Sequence, residues 1–186
     1  MIRHWGTALT AVSALSCGGD PVRVEQAPTT LAASPAEVFA DRGSIAVATV
    51  LDEGVAREVA LGAEVSVTMS VYGATVSRSS QPSAARALPL GVRVSLDVHT
   101  AVTQIDSTGH ALGRIENPFV GTAGRARFTT GHSYLTVLSD DVTDAAAWRV
   151  QEAYSLNAAG DSLAEPALGF AASTPVVTLF DALSPP

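Results

Sequence analysis

From Ala63 to Tyr72 the chain alternates apolar and polar side chains. Val65, Val67, Met69 and Val71 stand against Glu64, Ser66, Thr68 and Ser70. A period of two is the period of a strand, and this is the pattern of a sheet with one buried face. It recurs where Val92, Val94, Leu96 and Val98 alternate with Arg93, Ser95, Asp97 and His99. That run continues through Thr103 and Ile105, but its apolar phase is lost near Thr100, where a β-bulge would restore the facing.

Other segments fit the same regime. Ile45 to Leu51 is β-branched and apolar, Asp52-Glu53-Gly54 reads as a hairpin turn, and Val55 to Leu61 returns. Asp106-Ser107-Thr108-Gly109 fits a type I turn closed by a glycine with positive φ, and Ala111 to Ile115 returns from it. Asn157-Ala158-Ala159-Gly160 repeats that turn chemistry, so Val102–Leu112 and Ala153–Leu163 read as two hairpins sharing one turn type. Arg125 to Thr130, Ser133 to Leu138 and Pro175 to Phe180 are further strands. Trp148, Val150, Tyr154 and Leu156 read as one strand face, broken by Glu152, which sits at an edge or pairs with Arg149 or Arg127. One helix is expected from Pro35 to Asp41. Ser34-Pro35-Ala36-Glu37 resembles a capping box, Gly43 is its stop, and Val38 and Phe39 pack inward.

About eight or nine short strands with regular turns predict an all-β domain, either a sandwich or a barrel. Uneven strand lengths and a long polar loop over 77–89 favour a two-sheet antiparallel sandwich with one short N-terminal helix. In outline this resembles bacterial immunoglobulin-like and fibronectin-like domains, without the Cys–Trp–Cys framework of antibody domains. The domain is expected over residues 34–183.

The N-terminus has a charged start at Arg3, an uncharged apolar run from Trp5 to Leu15, and small residues at 16–19. These are the parts of a secretory signal peptide. The apolar run is about a dozen residues, whereas a spanning helix needs ~20. Ala14-Leu15-Ser16-Cys17 resembles a bacterial lipoprotein signal, with Leu15 one place later than the usual motif. The resemblance implies cleavage before Cys17, removal of residues 1–16 and acylation of the only cysteine in the chain. Residues 17–33, rich in Gly, Pro, Thr and Ala, would then be a flexible tether. Gly18 in place of Asp is compatible, by the same resemblance, with the outer membrane of a bacterial cell envelope.

The chain has a net charge of −7, contains no lysine, and shows no basic stripe. Phosphate-backbone binding needs clustered positive charge, so nucleic acid is not an expected partner. The expected partners are the membrane, through lipid on Cys17, and another envelope protein or a surface polymer. No cofactor is implied.

Candidate chemistry is sparse. Gly131-His132-Ser133-Tyr134-Leu135 begins like a nucleophile elbow, but Leu135 replaces the second glycine. A hydrolase would need His132, Ser133 and Asp140 or Asp141 to converge. His99, His110 and His132 form no short metal-binding pair. Asp140, Asp141 and Asp144 could offer oxygens to calcium, without the glycine and glutamate of an EF-hand loop. Trp148 reads as core rather than a sugar platform. The leading expectation is a non-enzymatic, lipid-anchored binding or scaffolding module. It would use the loop at 78–89, with Arg78, Gln81 and Arg86 foremost, and the turns at 106–109, 140–144 and 157–161. The alternatives are an exported hydrolase around His132 and Ser133, and a β-barrel carrier of an apolar ligand.

Overall fold

The alternating run around Val67 does not end at Tyr72. In the computed structural model, which describes residues 23–26 (backbone only), 31–116, 128–140, 144–183 and 185, it continues through Gly73 as one strand, β4 (Val65–Ser80). β4 pairs antiparallel with β5 (Arg93–Ile105). Two strands share its other edge in succession. β3 (Val55–Ala60) lies against Ser66–Val71, and β2 (Ser44–Val50) lies against Ala74–Ser80. Asp52-Glu53-Gly54 therefore turns no hairpin, and β2 and β3 follow one another along β4.

β2 also pairs antiparallel with β7 (Ser133–Asp140), and β7 with β8 (Ala147–Ser155). β8 then runs parallel to β5, with Ser95–Asp97 beside Ala147–Arg149. The ring β5-β8-β7-β2-β4 closes into a five-stranded mixed barrel. Past the barrel, β4 and β5 continue as an arm. The arm carries β3 on one side and β6 (Ala111–Glu116) on the other, with β1 (Arg23–Gln26) parallel to β6.

The immunoglobulin-like two-sheet antiparallel sandwich expected from the sequence is thus corrected to a closed barrel with extra strands. The uneven strand lengths have a different cause from the one inferred. β4, with 16 residues, and β5, with 13, each serve both barrel and arm. Bulges provide the bending that closure needs. Thr100 is the extra residue of β5 opposite Thr68 and Met69, as its lost phase predicted, and its hydroxyl donates to Thr68 O at 3.0 Å.

A second bulge, at Gln151 in β8, was not anticipated. It lies where Val137 pairs with Glu152 and Leu138 with Val150. It turns Trp148 and Val150 into the barrel and sends Glu152, Tyr154 and Leu156 outward, so the single face expected for these residues is split in two. Inside, Leu96, Leu138, Tyr134 and Trp148 pack with Ala46, Ala48 and Val76. Phe128 meets Tyr72 and Tyr134 edge-to-face, at 5.1 and 4.7 Å between ring centroids. On the outer wall of β2, β7 and β8, Ile45, Val47, Leu135, Val137 and Tyr154 form a second core. It is covered by helix α1 (Pro35–Ala40), by Leu163 and Leu168, and by helix α2 (Val176–Ala182).

α2 replaces the expected last strand. Val176, Leu179 and Leu183 recur at a helical spacing and are buried. α1 forms where expected. Ser34 makes no side-chain cap, and Glu37 Oε2 accepts the Ala33 N–H at 2.9 Å instead. The helix ends on Arg42 at φ +58°, with Gly43 N–H returning to Val38 O at 2.9 Å. Part of the presumed tether is built into the domain. Residues 23–26 form β1, and the Ala32 N–H donates at 2.8 Å to the buried Glu152, whose other oxygen accepts the Tyr154 hydroxyl at 2.8 Å.

Deleting Gln151 should remove the extra residue and leave a regular ladder, with Val150 still inward opposite Leu138 and Glu152 still outward opposite Val137, while taking away the bend of β8 and the Gln151 amide beside Arg149. The expected loss is about 1–2 kcal/mol of unfolding free energy, with the faces of Tyr154 and Leu156 unchanged. Urea denaturation measures it, and an unchanged midpoint would count against a structural role for the bulge.

Candidate functional site

The barrel interior is not a binding cavity. Barrel width grows with strand number, and an interior of about eight strands is just filled by side chains or holds one small ligand. Five strands leave less room, and aromatic and aliphatic side chains fill it. Two more surfaces are occupied: the wall under α1 and α2, and the mouth closed by the segment 81–92.

That segment was the favoured binding loop. Arg78 lies within β4, paired with Val47, and its side chain is exposed. Gln81 Oε1 accepts the Leu88 N–H at 3.2 Å and closes the base of the loop. Pro82 and Leu88 are buried beneath it. Arg86 is a clasp. Its guanidinium stacks 3.8 Å above the Trp148 ring, donates to the carbonyls of Ala145 and Ala147, and lies 3.3 Å from Asp140 Oδ1. Its two terminal nitrogens and its flat face are engaged within the molecule.

The hydrolase residues do not converge. Ser133 and Asp140 are the two ends of β7, about 23 Å apart at roughly 3.3 Å per residue. Ser133 Oγ lies 2.8 Å from Thr49 Oγ1, a hydroxyl rather than an imidazole. His132 is exposed at the start of the strand. Of the calcium candidates, Asp140 faces Arg86, and Asp144 Oδ1 accepts the Ala146 N–H at 2.8 Å. Asp141 lies outside the described residues, as do Cys17 and Arg127. Among the described residues no group of three or more His, Cys, Asp or Glu is placed to hold a metal ion, and no helix is long and apolar enough to cross a membrane.

Sequence reading missed a buried polar strip. Asp97 and His99 occupy the face of β5 that alternation assigned to solvent, yet they are only 1% and 6% exposed. Asp97 is level with Arg149 of β8. With the Gln151 side-chain amide oriented so that its oxygen faces Arg149, that oxygen accepts from Arg149 Nε at 2.9 Å and Nη2 at 3.1 Å. The bulge at Gln151 thus positions a side chain on this wall as well as turning the strand. β5 is buried on both faces here, which a period of two cannot reveal.

Among the described residues, the arm is left open. Its geometry starts at the break between β2 and β3. Asp52 Oδ1 accepts the Gly73 N–H at 2.7 Å, and Asp52 Oδ2 pairs with Arg93. Leu51 N–H donates to Gly73 O at 2.8 Å. A Cβ at Gly54 would overlap the Tyr72 ring, so only glycine lets the chain pass here into β3. β3 emerges exposed at five of its six residues, with Val55, Arg57 and Val59 opposite Val71, Met69 and Val67. The sheet order ends at this strand. The arm's far turn is closed by Gly109 at φ +87°, with its N–H donating to Asp106 O at 3.0 Å.

The chain matches no family model, and neither curated proteins nor solved structures gave a match.

At that far turn Asp106 Oδ1 accepts from the Thr108 hydroxyl and from the N–H groups of His110 and Thr108, at 2.6, 2.9 and 2.8 Å. These bonds, the Thr108 hydroxyl foremost, hold the Asp106 carboxyl below its ordinary value of 3.8. The depressed pKa means the turn is stabilised above the ordinary carboxylate range and loses this support as pH falls through the lowered midpoint. Thr108→Ala should move the Asp106 midpoint up toward 3.8. Carboxyl NMR titration reads it directly, and an unmoved midpoint would remove the hydroxyl as the main cause.

Proposed function

We propose that this chain is an exported, lipid-anchored cell-envelope protein whose barrel holds up an arm for binding another envelope protein, and that it is not an enzyme. The observation that carries the reading is β3. It is a six-residue strand at the end of the sheet order, exposed at all but Val59, on an arm that extends past a filled barrel. An open strand edge is a template for main-chain pairing with another chain. The anchoring half rests on the N-terminal residues: the charged start, the short apolar run, and Cys17 after Ala14-Leu15-Ser16. More than one acyl chain is needed for stable anchoring, which is what acylation at a lipoprotein cysteine supplies. Cleavage there leaves a connection of limited length before β1, so the arm would work close to the membrane surface.

Mass spectrometry of the membrane-fraction protein should show Cys17 as the first residue, bearing acyl groups. Cys17→Ala should move the chain out of the membrane fraction with its fold unchanged. A full-length chain with Met1 and an unmodified thiol would overturn the anchoring.

A further inference from the structure

The backbone of β3 sets out which groups an incoming strand would meet. Leu61 N–H donates to Val65 O at 2.8 Å, which makes that pair a hydrogen-bonded one. Antiparallel ladders alternate, so Val55, Arg57 and Val59 exchange their backbone bonds with β4. The N–H and C=O groups of Ala56, Glu58 and Ala60 then point along the outer edge, where no strand pairs among the described residues. Arg57 and Glu58 lie on opposite faces of this edge, and both are exposed. Glu58 is held in place through one carboxylate oxygen by the Ser66 hydroxyl.

A second copy of the chain does not suit this edge. Two copies of β3 would meet antiparallel about a two-fold axis normal to the sheet. Such an axis keeps every residue on its own face, so an odd-numbered residue can oppose only an odd-numbered one. The two registers of greatest overlap set Arg57 against its own copy, or Glu58 against its own copy. Like charges directly opposite destabilise a strand pair, and charges on an edge strand discourage self-pairing.

We infer that β3 takes up an extended segment of a different protein, antiparallel, with an acidic side chain opposite Arg57 and a basic one opposite Glu58. Apolar residues would flank that charged pair, opposite Val55 and Val59, extending the face of Val67 and Met69. The two charges that disfavour a self-pair are both satisfied by such a partner, and only in one register and one charge order. The inference rests on reading the domain as a binding module, and it does not depend on Cys17.

The test uses the full-length protein and two short extended peptides with the same apolar flanks. One carries the acid opposite Arg57 and the base opposite Glu58; the other exchanges them. The first should bind about tenfold more tightly, and shift the amide resonances of Ala56, Glu58 and Ala60. Arg57→Glu with Glu58→Arg should reverse the preference. Ala56→Pro removes an outward N–H without touching the β4 ladder. It should abolish binding while the circular dichroism spectrum stays native. Equal affinity for both peptides, no shift at β3 with either, or a dimer protected at β3 would each overturn the inference. None of those results bears on whether Cys17 is acylated, which is read separately by mass.

Discussion

Three residues of parallel pairing hold this molecule in its shape. Where Ser95–Asp97 runs beside Ala147–Arg149, β8 is joined to β5 and the sheet becomes a ring. Without that contact β2, β4, β5, β7 and β8 would be an open sheet with two long edges. With it, Leu96 and Trp148 sit level with one another, facing the same interior, and the aromatic cluster of Tyr72, Phe128 and Tyr134 has a closed space to fill. Parallel strands cannot be joined by a tight turn, and here β6 and β7 lie between β5 and β8 in the chain. The arm follows from the same contact. β8 uses the edge of β5 only as far as Asp97, and the rest of β5 is left to pair with β6.

Local chemistry was legible in the sequence where it acts over a few residues. The Asp106–Gly109 and Asn157–Gly160 turns and the short helix at Pro35 depend on residues close in the chain, the bulge at Thr100 shows as a break in the local alternation of β5, and the structure contains each of them. What failed depends on residues far apart in the chain. The hairpin expected at Asp52 is undone because β4 is long enough to pair with both β2 and β3. The loop expected from Ser77 begins at Gln81, because Ile45, Ala46 and Val47 extend the ladder to Ser80. Short apolar runs do not distinguish a strand from a buried helix, and Val176–Ala182 is the case in point. The bulge at Gln151 had no signal except Glu152, which stood out as a charge on an apolar face and marks the point where that face turns over.

The functional surface was less legible than the fold. Alternation gives solvent to polar residues, yet it buries Asp97 and His99 and exposes Val55 at 69%. Arg86 was singled out as a loop cation, but a cation beside Trp148 and two carbonyls belongs to the molecule's own packing. The exposed arm was hidden in the sequence because β3 reads as the second half of a hairpin, with β2 on one side. Once β2 is seen to continue around the barrel, β3 is left with one partner and one open edge. Its Arg57 and Glu58 then have a physical meaning that composition could not give them.

Cross-strand backbone NOEs between Leu96 and Trp148, and between their neighbours, test the closed ring most directly. The account predicts the parallel pattern over Ser95–Asp97 and Ala147–Arg149, with slow amide exchange on both strands. Antiparallel contacts there, or fast exchange along β8 with no NOE to β5, would contradict a closed barrel and the arm that depends on it.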